Sequence, residues 1–221
     1  MIPFKDDNPA ENFPIVTISI IVLNVLVFLW QYISPRGVFP TTFLYGAVPH
    51  LLLTGSTVQP IHPFMTIITS MFMHGGFLHL FVNMLYLWIF GNNIEDKLGI
   101  VRFIVFYIMC GAVAVYSHAL TDSTSMVPMI GASGAVSGIL GAYILLYPKA
   151  RVHVLIFLVI FIEVIKLPAY IVIGFWIAIQ LINGILSSGL DVQGGVAWFA
   201  HIGGFLAGLI ISKIFFSIKE R

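Results

Sequence analysis

Apolar residues along this chain come in long blocks separated by short polar breaks, and block length decides what they can form. A helix crossing the hydrocarbon layer of a bilayer needs about 20 mostly apolar residues. Six blocks approach that length, at about 14–34, 74–93, 99–120, 132–147, 167–187 and 196–216. Turn-forming residues mark breaks between them at Gly91-Asn92-Asn93, Pro148-Lys149 and Gly194-Gly195. The pattern predicts an all-α membrane protein, a six-helix bundle forming one domain over residues 1–221. Residues Met1 to Glu11 hold one Lys and three acids, and no small-residue cleavage site follows the first block, so that block is expected to stay as a span.

Two segments break the pattern. Residues 37–73 carry apolar pieces (Phe43-Leu44-Tyr45, Leu51-Leu52-Leu53, then His62 to Met73) that are too short or interrupted to cross. They are expected to form a long first external loop lying in the interface. Residues 151–166, RVHVLIFLVIFIEVIK, are rich in Val and Ile with charges at both ends. Periodicity leaves a hairpin and an interfacial helix both open there. The fourth block is short: Ser133 to Tyr147 spans about 22 Å as a helix, against roughly 30 Å of hydrocarbon. Its start should lie below the outer surface, with the preceding loop dipping in to line a wet cavity.

Composition agrees with the blocks. Hydrophobic residues make up 59% of the 221 and charged residues 9%, against roughly 25% charged in soluble domains, so the lipid bilayer is the expected partner. Net charge is +1 and no two basic residues are adjacent, which argues against nucleic acid. One cysteine, Cys110, excludes an intrachain disulfide and a cysteine metal cage. Six spans place Lys5, Lys97, Arg102, Lys149, Arg151, Lys166, Lys213, Lys219 and Arg221 on one side and Arg36 alone on the other. By the positive-inside rule both termini are expected in the cytoplasm, in a multi-pass protein of a prokaryotic plasma membrane.

Polar groups inside spans are costly and invite functional explanations. They are His79 and Asn83, Cys110 and His118, Ser133 and Ser137, Gln180 and Asn183, and His201. No acid falls in mid-span, since Asp122 and Asp191 fall in external loops, which argues against a carboxylate ion pathway. Ser133, in Gly131-Ala132-Ser133-Gly134, opens a helix whose free N–H groups favour a developing anion. His201 lies five or six residues into the last span, so both side chains should sit roughly 10 Å below the outer surface. Gly134, Gly138 and Gly141 on one helix, and Gly204 and Gly208 on the other, would let the axes approach closely. Close axes would let the hydroxyl reach the imidazole. His79 and Asn83, one helical turn apart, supply N–H donors suited to an oxyanion.

These residues resemble the signature of the rhomboid family of intramembrane serine proteases. The likeness runs from about His62 into the sixth span. It rests on H-x-x-x-N at His79 to Asn83, G-x-S-G at Gly131 to Gly134, and Ala200-His201 followed by G-x-x-x-G at Gly204 and Gly208. The resemblance implies a rhomboid-like bundle and a Ser–His dyad that hydrolyses the membrane segments of single-span or multi-span proteins, with no cofactor and no metal. Ser133 would be nucleophile, His201 general base and then acid, and His79 and Asn83 oxyanion stabilisers with the Ser133 amide. Two features depart from the family pattern. No Trp precedes an Arg, so the first loop is expected to be anchored otherwise, by Trp30 and scattered Phe residues. Ser137 stands where some members stack an aromatic ring on the histidine, so His201 needs other packing. Tyr170, Phe175 and Trp176 on the fifth span are candidates for a lateral gate. The rival readings are a catalytically inactive relative that binds membrane clients, and a metal site or transporter built on His74, His79 and His201. The latter lacks H-E-x-x-H spacing and a carboxylate partner.

Overall fold

The structure, a computed structural model, describes residues 2–158, 161–187 and 196–219; Asp191 and the Gly194-Gly195 turn lie outside them. In chain order the elements are β1 (Ile2–Asp6), α1 (Ile15–Ile33), α2 (Val38–Tyr45), α3 (Pro49–Thr54), α4 (Pro63–Ser70), α5 (Phe77–Leu98), α6 (Ile100–Thr121), α7 (Ser133–Leu146), β2 (Arg151–Leu158), β3 (Phe161–Pro168), α8 (Ala169–Ser187) and α9 (Trp198–Lys219). Five helices, α1, α5, α6, α8 and α9, are long and apolar enough to cross a membrane, and α7 is a shorter apolar sixth. Many of their residues are β-branched. In lipid, however, a backbone N–H or C=O has no water to turn to, so the helix is favoured over weak local preference.

The expected turn at Gly91-Asn92-Asn93 does not occur: α5 runs through it to Leu98 and breaks at Gly99, whose φ of 77° suits glycine. A long-range contact accounts for the extension. The N-terminus of α1 has no side-chain cap of its own. The buried Glu95 carboxylate, on the last turns of α5, accepts from Val16 N at 2.8 Å and Thr17 N at 2.7 Å. Nearby, Asp96 accepts from the amides of Glu11 and Asn12. The two Glu95 bonds satisfy N–H groups that a helix start leaves free and set a carboxylate at the positive end of the helix dipole, while Asp96 holds the chain leading into it.

Residues 151–166 form a hairpin rather than a helix, and a strand that the sequence pattern did not predict joins it. β2 pairs with both β1 and β3, antiparallel, in the order β1-β2-β3. Val152 and Val154 on β2 are fully buried and join the core of the bundle, which fixes the register of the sheet against the helices. Asp7, just past β1, meets His153 at 2.6 Å and Lys166 at 3.2 Å. Tyr143 on α7 donates to the Asp6 carboxylate at 2.5 Å.

Lipid tails are as apolar as leucine, so burial alone does not drive these helices together; close packing and polar contacts do. α7 is the central helix, every residue from Gly134 to Tyr143 being buried, and it packs on α5, α6, α8 and α9. Large apolar side chains on α1, α6, α8 and α9 (Leu26, Val101, Ile185 and Ile210 among them) remain exposed, as lipid-facing surfaces require.

The first loop folds into α2, α3 and α4. Trp30 meets Tyr45 edge to face at 5.6 Å, backbone bonds tie Ala47 to Met129 and His50 to Ser125, and two buried glutamines add side-chain contacts. Gln31 accepts from His74 N and donates to His74 O. Gln59 donates to the carbonyls of Phe43 and Gly46.

Candidate active site

The start of α7 is prepared by the chain before it. Gly131 N donates to Ser70 O at 2.9 Å, and Met129 pairs with Ala47 through both backbone bonds. Gly131 has φ of 114°, and a side chain there would collide with the imidazole of His79. Glycine is therefore required at this position for two separate reasons, conformation and space. The Cβ position that Gly131 leaves empty lies within 4 Å of both His79 Nε2 and Ser133 Oγ.

Ser133 is the first residue of α7 and His201 lies one turn into α9. Ser133 Oγ and His201 Nε2 are 2.8 Å apart. Glycine makes the approach possible: a Cβ on Gly204 would overlap the Gly134 carbonyl, one on Gly208 the Gly138 carbonyl, and one on Gly141 the Phe205 carbonyl. On its other side α7 lies against α6, where Gly134 faces Ala114 and Gly138 faces Cys110. Ser137, one turn after Ser133, donates to Ser133 O at 2.5 Å.

His201 takes its packing from elsewhere. Trp176 on α8 lies with its ring centroid 5.8 Å away and tilted by 38°. Trp198 meets it edge to face at 6.4 Å. Nδ1 of His201 lies 2.7 Å from Gln180 Oε1, also on α8. The sequence placed Gln180 in a span but gave it no partner, because the contact joins two helices.

His79 flanks Ser133 through Gly131 and meets His74 edge to face at 5.0 Å. Asn83 is buried, and one of its amide N–H groups donates to His79 O at 2.9 Å. The structure thus brings Ser133, His201 and His79 together; Asn83 lies one turn below His79 with part of its amide committed to the helix. Ser133, His201 and His79 are all partly exposed rather than sealed. Beside Ser133 lies a cavity of about 30 Å³, bordered by Gly111, Ala114, Gly134 and Ala200. That space admits a water molecule or two and is far too small for a peptide strand. A larger cavity, about 410 Å³, lies at the opposite end of the bundle between β1 and α5 and touches none of these residues. Among the described residues, no three His, Cys, Asp or Glu side chains converge to hold a metal ion.

Comparison with known proteins places this geometry in context. A rhomboid-domain family profile matches residues 62–218, a stretch that contains His79, Asn83, Ser133 and His201. The chain is 32% identical over 166 residues to rhomboid protein 1, mitochondrial, of Saccharomyces cerevisiae, covering 71% of this chain and 44% of that protein. It is 29% identical over 223 residues to the rhomboid protease AarA of Providencia stuartii, covering 93% of this chain and 74% of that one. To the putative rhomboid protease YdcA of Bacillus subtilis it is 27% identical over 156 residues, with 70% and 69% covered. The chain spans less than half the length of several curated relatives it matches.

Proposed function

The chain belongs to the rhomboid family, and we propose that it is an intramembrane serine endopeptidase cutting the membrane segments of other proteins. One observation carries the reading: a hydroxyl at a helix N-terminus lies 2.8 Å from an imidazole nitrogen, beside a cavity with room for water. In the proposed reaction Ser133 Oγ attacks the scissile carbonyl carbon as its proton passes to His201 Nε2. The oxyanion forms against the Ser133 amide and the His79 imidazole, with Asn83 supplying a further N–H. His201 then gives its proton to the leaving amine, and an acyl-enzyme remains on Ser133. Water, deprotonated by the same imidazole, attacks the ester and releases the new carboxyl terminus.

The small, glycine- and alanine-lined cavity supports a preference for a small side chain next to the scissile bond. It also means that a substrate strand enters only when a neighbouring helix moves aside. The helix α8 suits that role, since it presents Phe175, Ile182 and Ile185 outward while Trp176 covers His201. A substrate helix has to unwind to expose its carbonyl, so helix-weakening residues are expected near the cut. The Lys and Arg distribution supports cytoplasmic termini.

The reading is tested by incubating purified protein with a fluorophosphonate probe, with Ser133→Ala as control, then offering single-span reporter proteins and sequencing the new termini. Labelling and cleavage that both require Ser133 are expected. Equal labelling of the two proteins would overturn the assignment of the nucleophile and leave a client-binding relative as the better description.

A further inference from the structure

We infer that Gln180 is a positioning residue that fixes the tautomer and ring orientation of His201, doing with a neutral amide what a buried carboxylate does in three-membered serine hydrolase sites. The inference rests on the protease reading for its kinetic consequences, but its structural content stands on hydrogen-bond logic alone.

A neutral imidazole carries one N–H, and the partner of one nitrogen decides the state of the other. For Nε2 of His201 to accept the Ser133 proton, the ring N–H must be on Nδ1. Gln180 Oε1, 2.7 Å from Nδ1, is an acceptor only, so it selects that tautomer. An amide turned the other way would present N–H to Nδ1 and select the unproductive one. The orientation is set by the other end of the same amide: Gln180 Nε2 donates to Trp176 O at 3.2 Å, a carbonyl that has no use for an amide oxygen. Gln180 is only 5% exposed, so water cannot readily substitute for either contact.

Trp176 and Gln180 are one helical turn apart on α8, so a single face of that helix supplies both a ring against the imidazole and the acceptor for its Nδ1. No ion pair reaches His201 among the described residues. Its titratable neighbours are two imidazoles, His79 from α5 and His118 from α6. A charged carboxylate in place of Gln180 would raise the basicity of His201; the amide orients the ring without doing so. The amide thus specifies which nitrogen faces the serine without adding a charge beside the ring.

The test uses the full chain in lipid nanodiscs, with ¹⁵N-histidine NMR near pH 8 and the His201 signals assigned by comparison with His201→Asn. Wild type should show Nδ1 protonated and Nε2 bare. Gln180→Leu should lose that preference, and its kcat on a reporter substrate should fall about 10- to 100-fold with KM within roughly 3-fold. Gln180→Glu keeps an acceptor; it should regain most of the rate and move the acid limb of the pH profile to higher pH, which a purely structural role would not do. An Nε2-protonated His201 in wild type, or an unchanged tautomer in Gln180→Leu, would overturn the inference whatever the activities. Nδ1 protonation in a wild type that neither labels nor cleaves would sink the protease reading instead and uphold the positioning contact.

Discussion

The Ser133 hydroxyl and the His201 imidazole are 68 residues apart in sequence and 2.8 Å apart in space. They meet because α7 and α9 touch backbone to backbone through glycine. Under the proposed mechanism, removing either side chain should abolish turnover. Ser133→Ala and His201→Ala are each expected to lower kcat by roughly 10³-fold or more, with protein yield and thermal unfolding nearly unchanged. Gel-based fluorophosphonate labelling and reporter cleavage measure the loss directly.

Glycine contact makes a second, purely structural prediction. Gly208→Ala puts a methyl into the Gly138 carbonyl and should destabilise the bundle by about 1–3 kcal/mol, with loss of the Ser133–His201 contact. Gly174→Ala on α8 meets nothing within 4 Å and should be neutral or mildly stabilising. Thermal unfolding in one detergent separates the two; equal effects would mean that the close approach of α7 and α9 is not what glycine is there for.

If His201 is the base of the proposed reaction, acid should silence cleavage. General base catalysis needs the neutral imidazole, and an ordinary histidine titrates near 6.5. Cleavage rate is therefore expected to decline as pH falls through the range of histidine titration, and a rate still climbing below about pH 5 would be incompatible with His201 as base. Unfolding measured over the same range has to stay flat for the comparison to be clean.

The Glu95 contact ties the start of α1 to the end of α5. Glu95→Ala leaves the amides of Val16 and Thr17 without their acceptor and should destabilise by about 2–3 kcal/mol. Glu95→Gln retains one acceptor oxygen and should lose less. Chemical denaturation in mixed micelles gives the order.

At the sheet, hydrogen bonds from His153 and then Lys166 hold the Asp7 carboxyl below the usual carboxylate range. A carboxyl with a lowered folded value stabilises the fold above its unfolded titration, near pH 4, and loses that contribution as pH falls through the lower folded value. Asp7→Asn should thus lower the melting temperature slightly near pH 6, and the gap should close below about pH 4. A gap that persists into strong acid would assign the effect to packing.

Much of the architecture is legible in the sequence because lipid imposes a simple ruler. Five long blocks and one short block are seen as five long helices and one short one, with boundaries within a few residues except where tertiary contacts intervene. Gly91-Asn92-Asn93 reads as a turn by local chemistry, yet Glu95 holds the helix past it through bonds to residues about 80 positions away. β1 is five residues long with a proline, too short to announce itself, and exists because β2 offers it an edge. At the candidate site, Ser133, His201, His79 and Asn83 stand out as polar groups in costly places. Gln180 stands out equally, but nothing in its spacing points to His201; only the packing of α8 on α9 does.

The junction of β3 with α8 has a mechanical corollary. Pro168 ends the strand and Ala169 begins the helix, with no linker between them. Ala169 N and Tyr170 N are bonded to the carbonyls of Ala150 and Pro148. A rod clamped at its foot swings from there: a lean of about 10° would carry Gln180, some 16 Å up the axis, roughly 3 Å sideways. If α8 is the element that yields to substrate, as proposed, such a swing would pull the acceptor off the imidazole as the path opens, so the proposed base would lose its orientation during entry and regain it on closing.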